Sequence, residues 1–151
     1  MRALSSQEML GVWERGVTQH PRARALTLLS AASPEMPGEA LMQLSIGERD
    51  SRLITLREWA FGARFTGTVS CPACGERLEF DFDAADIRAQ THGDPSELSV
   101  DVDNYHVRFR LPNSADLASV GSSDLLTAQR ALMEKCLLSV DSIQGPRDAS
   151  L

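Results

Sequence analysis

Hydrophobic and polar positions alternate along this chain in two periods, and the change from one to the other marks out its elements. Helical spacing comes first. In "SSQEMLGVWERGVTQ" the apolar residues Met9, Val12, Trp13 and Val17 recur every three to four positions, and "PRARALTLLSAA" continues with Leu26, Leu28 and Leu29 behind Pro21, a residue favoured at a first helical position. "SPEMPGEA" then interrupts the pattern, because Pro34, Pro37 and Gly38 oppose a continuous helix. Residues 1–40 therefore read as a helical N-terminal arm joined by a linker to the rest of the chain. In "LSIGERDSRLITLREWAFG", Ser45 and Glu48 have the spacing of a capping box, Ile46, Leu53, Leu56 and Ala60 form a stripe, and Gly62 stands where a left-handed C-cap is wanted. The pattern predicts a helix over about 46–61.

The period then drops to two. "RFTGTVS" places Phe65 and Val69 opposite Thr66 and Thr68, and "RLEFDF" places Leu78, Phe80 and Phe82 opposite Arg77, Glu79 and Asp81. Asp83 opens a short helical turn. "THGDP" reads as a loop, after which "LSVDV" and "YHVRFRL" alternate again, with Leu98, Val100, Val102, Tyr105, Val107, Phe109 and Leu111 on the inward face and "DVDNY" as the turn. Two antiparallel β-hairpins are expected to make one four-stranded sheet. Pro112 closes the second hairpin, "NSADLASV" gives a short helix, and "SSDLLTAQRALMEKCLLSV" gives a longer one whose stripe is Leu125, Leu132, Cys136 and Val140. The expected class is α+β: a helical N-terminal segment, a four-stranded sheet and C-terminal helices, with an α+β domain over 41–140 and a fraying tail over 141–151.

Composition adjusts this picture at a few points. The 151 residues suit one domain or a domain with a small appendage, able to bury roughly 68–70% of its unfolded surface, so a core forms without staples. The 21 acidic side chains exceed the 15 basic ones, giving a net charge of −6, and Lys135 is the sole lysine. That balance disfavours binding to a phosphate backbone, so no nucleic-acid partner is expected. The N-terminus lacks the apolar run of a signal peptide, and no segment approaches the ~20 apolar residues of a membrane span. Synthesis in the cytoplasm is expected.

Candidate chemistry concentrates in "TVSCPACGER". Cys71 and Cys74 sit at the predicted tip of the first hairpin as Cys-Pro-x-Cys-Gly, where Pro72 stiffens the turn and Gly75 permits a left-handed backbone after the second thiol. That is the form of a zinc knuckle, in which two thiolates face one ion about 2.3 Å away. A redox role needs such cysteines at the start of a helix, whereas a strand comes next here. Zinc takes four ligands, and the candidates for the remainder are His92, His106 and Cys136. His106 alternates with core residues and so points outward, His92 falls in a loop, and Cys136 lies on an apolar stripe where a free thiol is a small hydrophobe. Three readings stay open: a site closed within the chain, a site shared with another segment or chain, and an empty turn. "DFDAAD" lacks the spacing and glycine of a calcium loop, and no nucleophile triad or phosphate-binding loop is present, so no enzyme is expected. Trp13 and Trp59 are candidate partner-binding residues, since Trp is enriched at interface anchors; core packing is the alternative for each.

The order helix, cysteine hairpin, second hairpin resembles a bacterial and phage family. "GERD" at 47–50, "CPACGERLE" at 71–79 and "FRLPNSADL" at 109–117, within a similarity over about 41–138, are similar to the T4-like baseplate proteins encoded beside sheath, tube and spike genes in contractile phage tails and related injection systems. The resemblance implies a non-catalytic structural or assembly component of a baseplate, working through contacts with other tail or baseplate proteins. It also implies that Cys71 and Cys74 are zinc ligands, since longer members carry a second Cys-Pro-x-Cys-Gly element near the C-terminus that supplies the other two thiolates. The alternative function is a zinc-ribbon adaptor or regulatory binding module.

Overall fold

In the computed structural model, which describes residues 1–88, 97–121 and 124–143, the chain is helical from Ser6 onward. Helix α1 (Ser6–Gly16) starts with a capping box: Ser5 Oγ accepts the Glu8 amide at 3.3 Å, and the Glu8 carboxylate accepts the Ser5 amide at 2.8 Å. Arg2 closes a fork on the same carboxylate, at 3.0 and 2.5 Å. The Arg2 guanidinium and, after it, the Ser5 amide hold the Glu8 carboxyl down to about 2. An NMR titration of Glu8 is therefore expected to show its midpoint near that value, and Arg2→Ala should move it upward toward the ordinary carboxyl range. A midpoint unmoved by the substitution would place the cause elsewhere.

Helix α2 (Pro21–Ala32) carries Pro21 in its first turn, as the spacing predicts. After the Pro34–Pro37 interruption a short helix, α3 (Gly38–Gln43), leads to α4 (Ile46–Phe61). Ser45 Oγ accepts the Glu48 amide at 3.2 Å, but Glu48 gives its carboxylate to Arg52 Nη2 at 2.7 Å rather than to the Ser45 amide, so half of the expected box forms. Gly62 ends α4 with φ 85° and ψ 172°, a combination open essentially to glycine, and donates to the Glu58 carbonyl at 2.9 Å. Leu29 and Ala32 of α2, Leu41 of α3 and Leu56 of α4 form one buried cluster, with Leu4, Leu26, Met36, Leu44 and Leu53 against it. Residues 1–40 are thus not a separate arm. The chain divides instead into two compact units, Met1–Gln90 and Thr91–Leu151, and within the first α2 buries Leu29 and Ala32 against Leu41 of α3 and Leu56 of α4.

The first unit continues into a ribbon of β1 (Arg64–Ser70) and β2 (Arg77–Asp83), antiparallel from Arg64↔Asp83 to Ser70↔Arg77. Phe65↔Phe82, Gly67↔Phe80 and Val69↔Leu78 lie on one face. The Phe65 and Phe82 rings stack at 5.0 Å, and those of Phe80 and Phe82 at 5.9 Å. Gly67 makes this stack possible: a Cβ there would stand 2.5 Å from the Phe80 ring tip. Arg57 of α4 caps the base of the face, its guanidinium 3.9 Å above Phe65 while it donates to the Gly62 and Arg64 carbonyls. After β2, Asp83 caps α5 (Ala84–Ile87), and Arg88 then bonds Thr55 at 3.0 Å and pairs with Glu58, tying the ribbon's exit to α4.

The second unit holds β3 (Leu98–Val102), β4 (Tyr105–Phe109), α6 (Ser114–Ser119), α7 (Leu125–Cys136) and β5 (Leu137–Ser142). Asp103, at φ 53°, turns β3 into β4. The single four-stranded sheet expected from the two hairpins is not formed: the strands make a two-stranded sheet, β1-β2, and a three-stranded one, β3-β4-β5. The extra strand is "LLSVDS", expected as the end of the last helix and the start of the tail. Its backbone pairs with β4 instead, Val140 opposite Val107 and Ser142 opposite Tyr105, with a register shift at Arg108/Phe109. The α+β class stands, with the last helix ending at Cys136. The residues expected inward do share a face by register, yet Leu98, Val100, Val102 and Tyr105 are exposed. Residues 144–151 of the expected tail and the "THGDP" loop lie outside the described residues.

Between β4 and α6, Arg110 grips Asp116 with two bonds, at 2.6 and 2.9 Å. Asp116 also accepts the Asn113 amide at 2.9 Å, while Asn113 Oδ1 accepts the Asp116 amide at 2.9 Å. The "FRLPNSADL" stretch is therefore one capped corner that anchors α6 to the strand before it.

Candidate functional site

The cysteine turn is built by its own backbone. Where β1 ends, the Cys71 amide donates to the Glu76 carbonyl at 2.8 Å and the Gly75 amide donates back to the Cys71 carbonyl at 2.8 Å, with Gly75 at φ 74°. This closed loop aims the Cys74 and Ala73 amides at the Cys71 sulfur, and together with the Cys74 thiol they hold the Cys71 thiol below its ordinary pKa. A lowered thiol pKa favours the thiolate, the form that binds metal. Cys71 is half-buried and Cys74 exposed.

The knuckle fits half of a tetrahedral zinc site. Among the described residues no group of three or more His, Cys, Asp and Glu side chains converges anywhere. His106 sits on the polar face of β4 with its Nδ1 2.6 Å from Asp101 Oδ1. Cys136, at the end of α7, is half-buried, and burial pushes its thiol pKa up. His92 lies outside the described residues.

The second feature is a groove of about 500 Å³ in the first unit, to which α1, α2 and α4 all contribute. Its floor includes Val12, Leu28 and Leu56, and its lining includes Trp13, Val17 and Phe61, whose side chains are exposed, Trp13 at 64% and Phe61 at 73%. Of the two tryptophans singled out from the sequence, Trp13 lines the groove; Trp59, 49% exposed, is not part of its lining. The charged residues of the lining are Arg24 and Arg57. Arg24 donates from Nε to the Gly16 carbonyl at 3.0 Å and from Nη2 to the Gln19 carbonyl at 3.2 Å. Neither arginine nor Phe61 carries a local signal of a site, since what makes them one surface is the packing of three helices.

The model of the T4 bacteriophage base plate protein matches residues 26–145, which covers most of the chain and takes in parts of both units. This chain belongs to that family. The baseplate protein is accordingly a structural protein of a phage baseplate, and the match extends past the expected 41–138 at both ends. Both the cysteine knuckle and the Arg110–Asp116 corner fall inside it, whereas α1, with Trp13, precedes it. No curated protein and no solved structure matches the baseplate protein. Among its described residues no helix is long and apolar enough to cross a membrane.

Proposed function

We propose that the baseplate protein works without catalysis, as a structural part or assembly factor of a contractile tail-like baseplate, through contacts with other tail proteins. It is made in the bacterial cytoplasm and enters the particle from there. The family match over residues 26–145 carries this reading. The exposed apolar side chains support it: Trp13 and Phe61 line one groove of the first unit, where Trp59 also lies open, and Leu125, Leu126 and Met133 lie open in the second; exposed apolar patches mark interaction sites. The test is co-expression of the tagged chain with the sheath, tube and spike proteins of its own operon. One or more of them should co-purify at physiological salt; a chain that captures none would overturn the reading.

The closed turn at Cys71 and the lowered pKa of its thiol favour a second element. We propose that Cys71 and Cys74 supply two thiolates to a zinc ion whose other ligands come from outside the described residues or from a partner chain. Zinc would there tie the hairpin tip to a second segment. Metal analysis of the complex is expected to find zinc, and Cys71→Ser should release it while leaving the helical circular dichroism unchanged, since the cluster around Leu29 is built without the hairpin tip. Equal zinc content in wild type and Cys71→Ser would remove the site.

A further inference from the structure

The groove of the first unit has the form of a helical bundle short of one member. On α1 and just beyond, its lining is Met9, Val12, Trp13, Gly16 and Val17, the i, i+3, i+4, i+7, i+8 series of one helix face. The same series recurs on α4 as Leu53, Leu56, Arg57, Ala60 and Phe61. On α2 it is Pro21, Arg24, Ala25 and Leu28. Three helices thus turn complete packing stripes toward one space. Small residues occur in each, Gly16, Ala25 and Ala60, and at Gly16 a Cβ would stand 3.1 Å from the Arg24 side chain. A compact ligand on the floor would leave Trp13, Val17 and Phe61 in water, whereas a helix lying along the groove covers floor and rim together.

Charge identifies which helix. The chain carries a net −6, yet the groove's lining contains no carboxylate and two arginines. Arg24 gives two of its N–H groups to the carbonyls of Gly16 and Gln19, and Arg57 gives two to those of Gly62 and Arg64 while lying over the Phe65 ring, so neither charge has a carboxylate partner among the described residues. Arg and Trp beside an apolar floor are the residue types that dominate interface energetics.

We infer that the groove takes an amphipathic α-helix of a partner tail protein, with an apolar stripe facing Val12, Leu28 and Leu56 and acidic residues on its flanks beside Arg24 and Arg57. This rests on the baseplate reading and gives that reading a specific contact. The length of α4, 16 residues, sets the occupant at about 12–18 residues, or roughly 18–27 Å.

The probe is a phage-displayed library of alanine-based helical peptides about 18 residues long, randomised on one face and its flanks and selected on the intact chain. Selected peptides should show apolar residues at i, i+3, i+4 and i+7 and an excess of Asp and Glu beside them. Binding should shift Trp13 emission to the blue in a Trp59→Phe background. Affinity should fall at least tenfold when the peptide's acidic residues become Lys, and again in Trp13→Asp or Phe61→Asp, two exposed positions where circular dichroism checks that the fold persists. Peptides that bind the Asp variants as well as wild type, or that carry basic flanks, would overturn the inference. Capture of tail proteins separates the two readings. Equal capture by wild type and the Trp13→Asp/Phe61→Asp double variant leaves the baseplate role standing and removes the groove as its contact. Capture by neither removes the role, and the peptide results then decide the groove alone.

Discussion

Leu29→Ala is expected to destabilise the first unit by about 3 kcal/mol, within the 2–5 kcal/mol range of buried leucine truncations. Leu29 is fully buried, and among the described residues it belongs to a cluster with only three other buried members, Ala32, Leu41 and Leu56. Leu4, Leu26, Met36, Leu44 and Leu53 pack against the cluster and can close part of the space it leaves, which keeps the loss to the middle of that range. Next to the cluster, the Ser33 hydroxyl is buried without a hydrogen-bond partner among the described residues, so the site has no reserve of polar stabilisation to draw on. Urea unfolding followed by helical circular dichroism gives the number, and Leu10→Ala is the control: Leu10 is exposed, and its truncation should fall within about 0.5 kcal/mol of wild type. Similar losses at both positions would mean that α2 does not hold the core together.

The second large effect is expected at Asp116, which is 6% exposed. Asp116→Ala removes both bonds to Arg110 and the acceptor for the Asn113 amide, leaving a partly buried guanidinium unpaired at the entrance to α6. Removing one member of a buried pair costs about 3–5 kcal/mol, and the partial exposure of Arg110 brings the expected loss to about 2–3 kcal/mol. The Arg110 hydrogen bonds, and after them the Asn113 amide, hold the Asp116 carboxyl below its ordinary pKa against the opposing effect of burial. A depressed folded value means that this contribution is fully present above the unfolded carboxyl value of about 3.9 and is lost as pH falls from there through the folded value. The protection of α6 amides relative to their intrinsic exchange rates should accordingly fall on acidification below about pH 4 in the wild type. Asp116→Asn should flatten that dependence while keeping an acceptor for the cap. An unchanged acid profile in Asp116→Asn would assign the pH dependence to other carboxylates.

Several of these features are readable in the residues themselves. The helix over 46–61 is legible because both its ends are local: Ser45 meets an amide three residues on, and Gly62 adopts a backbone that side chains oppose. The Cys-Pro-x-Cys-Gly turn is legible for the same reason, its hydrogen bonds all lying within residues 71–76. Strand β5 is not. Leu132, Cys136 and Val140 keep helical spacing straight through the point where the helix ends, and only the pairing of Val140 with Val107, distant in sequence, makes "LLSVDS" extended. The division at residue 40 misleads in the opposite way, since Pro34 and Pro37 do break the helices but a break in the backbone is no break in the core. Trp13 stands out as an interface type by composition alone. That Arg24 and Phe61 share its surface depends on the crossing of α1, α2 and α4, which spacing within any one helix does not encode.

The position of β5 also bears on the order in which the protein matures on the ribosome. The β1-β2 ribbon closes across a six-residue turn and the first unit is complete in sequence by Gln90, so both are free to form while later residues are still being added. In the second unit, β4 keeps one edge bare until α6 and α7 have been made and Leu137–Ser142 has emerged after them. During that interval β4 offers unpaired amides and carbonyls beside Val107 and Phe109, a template for pairing with another nascent chain. Translation rate and chaperone access while residues 110–142 are being added are therefore expected to set how often β4 pairs with its own β5, and hence the supply of parts to the particle.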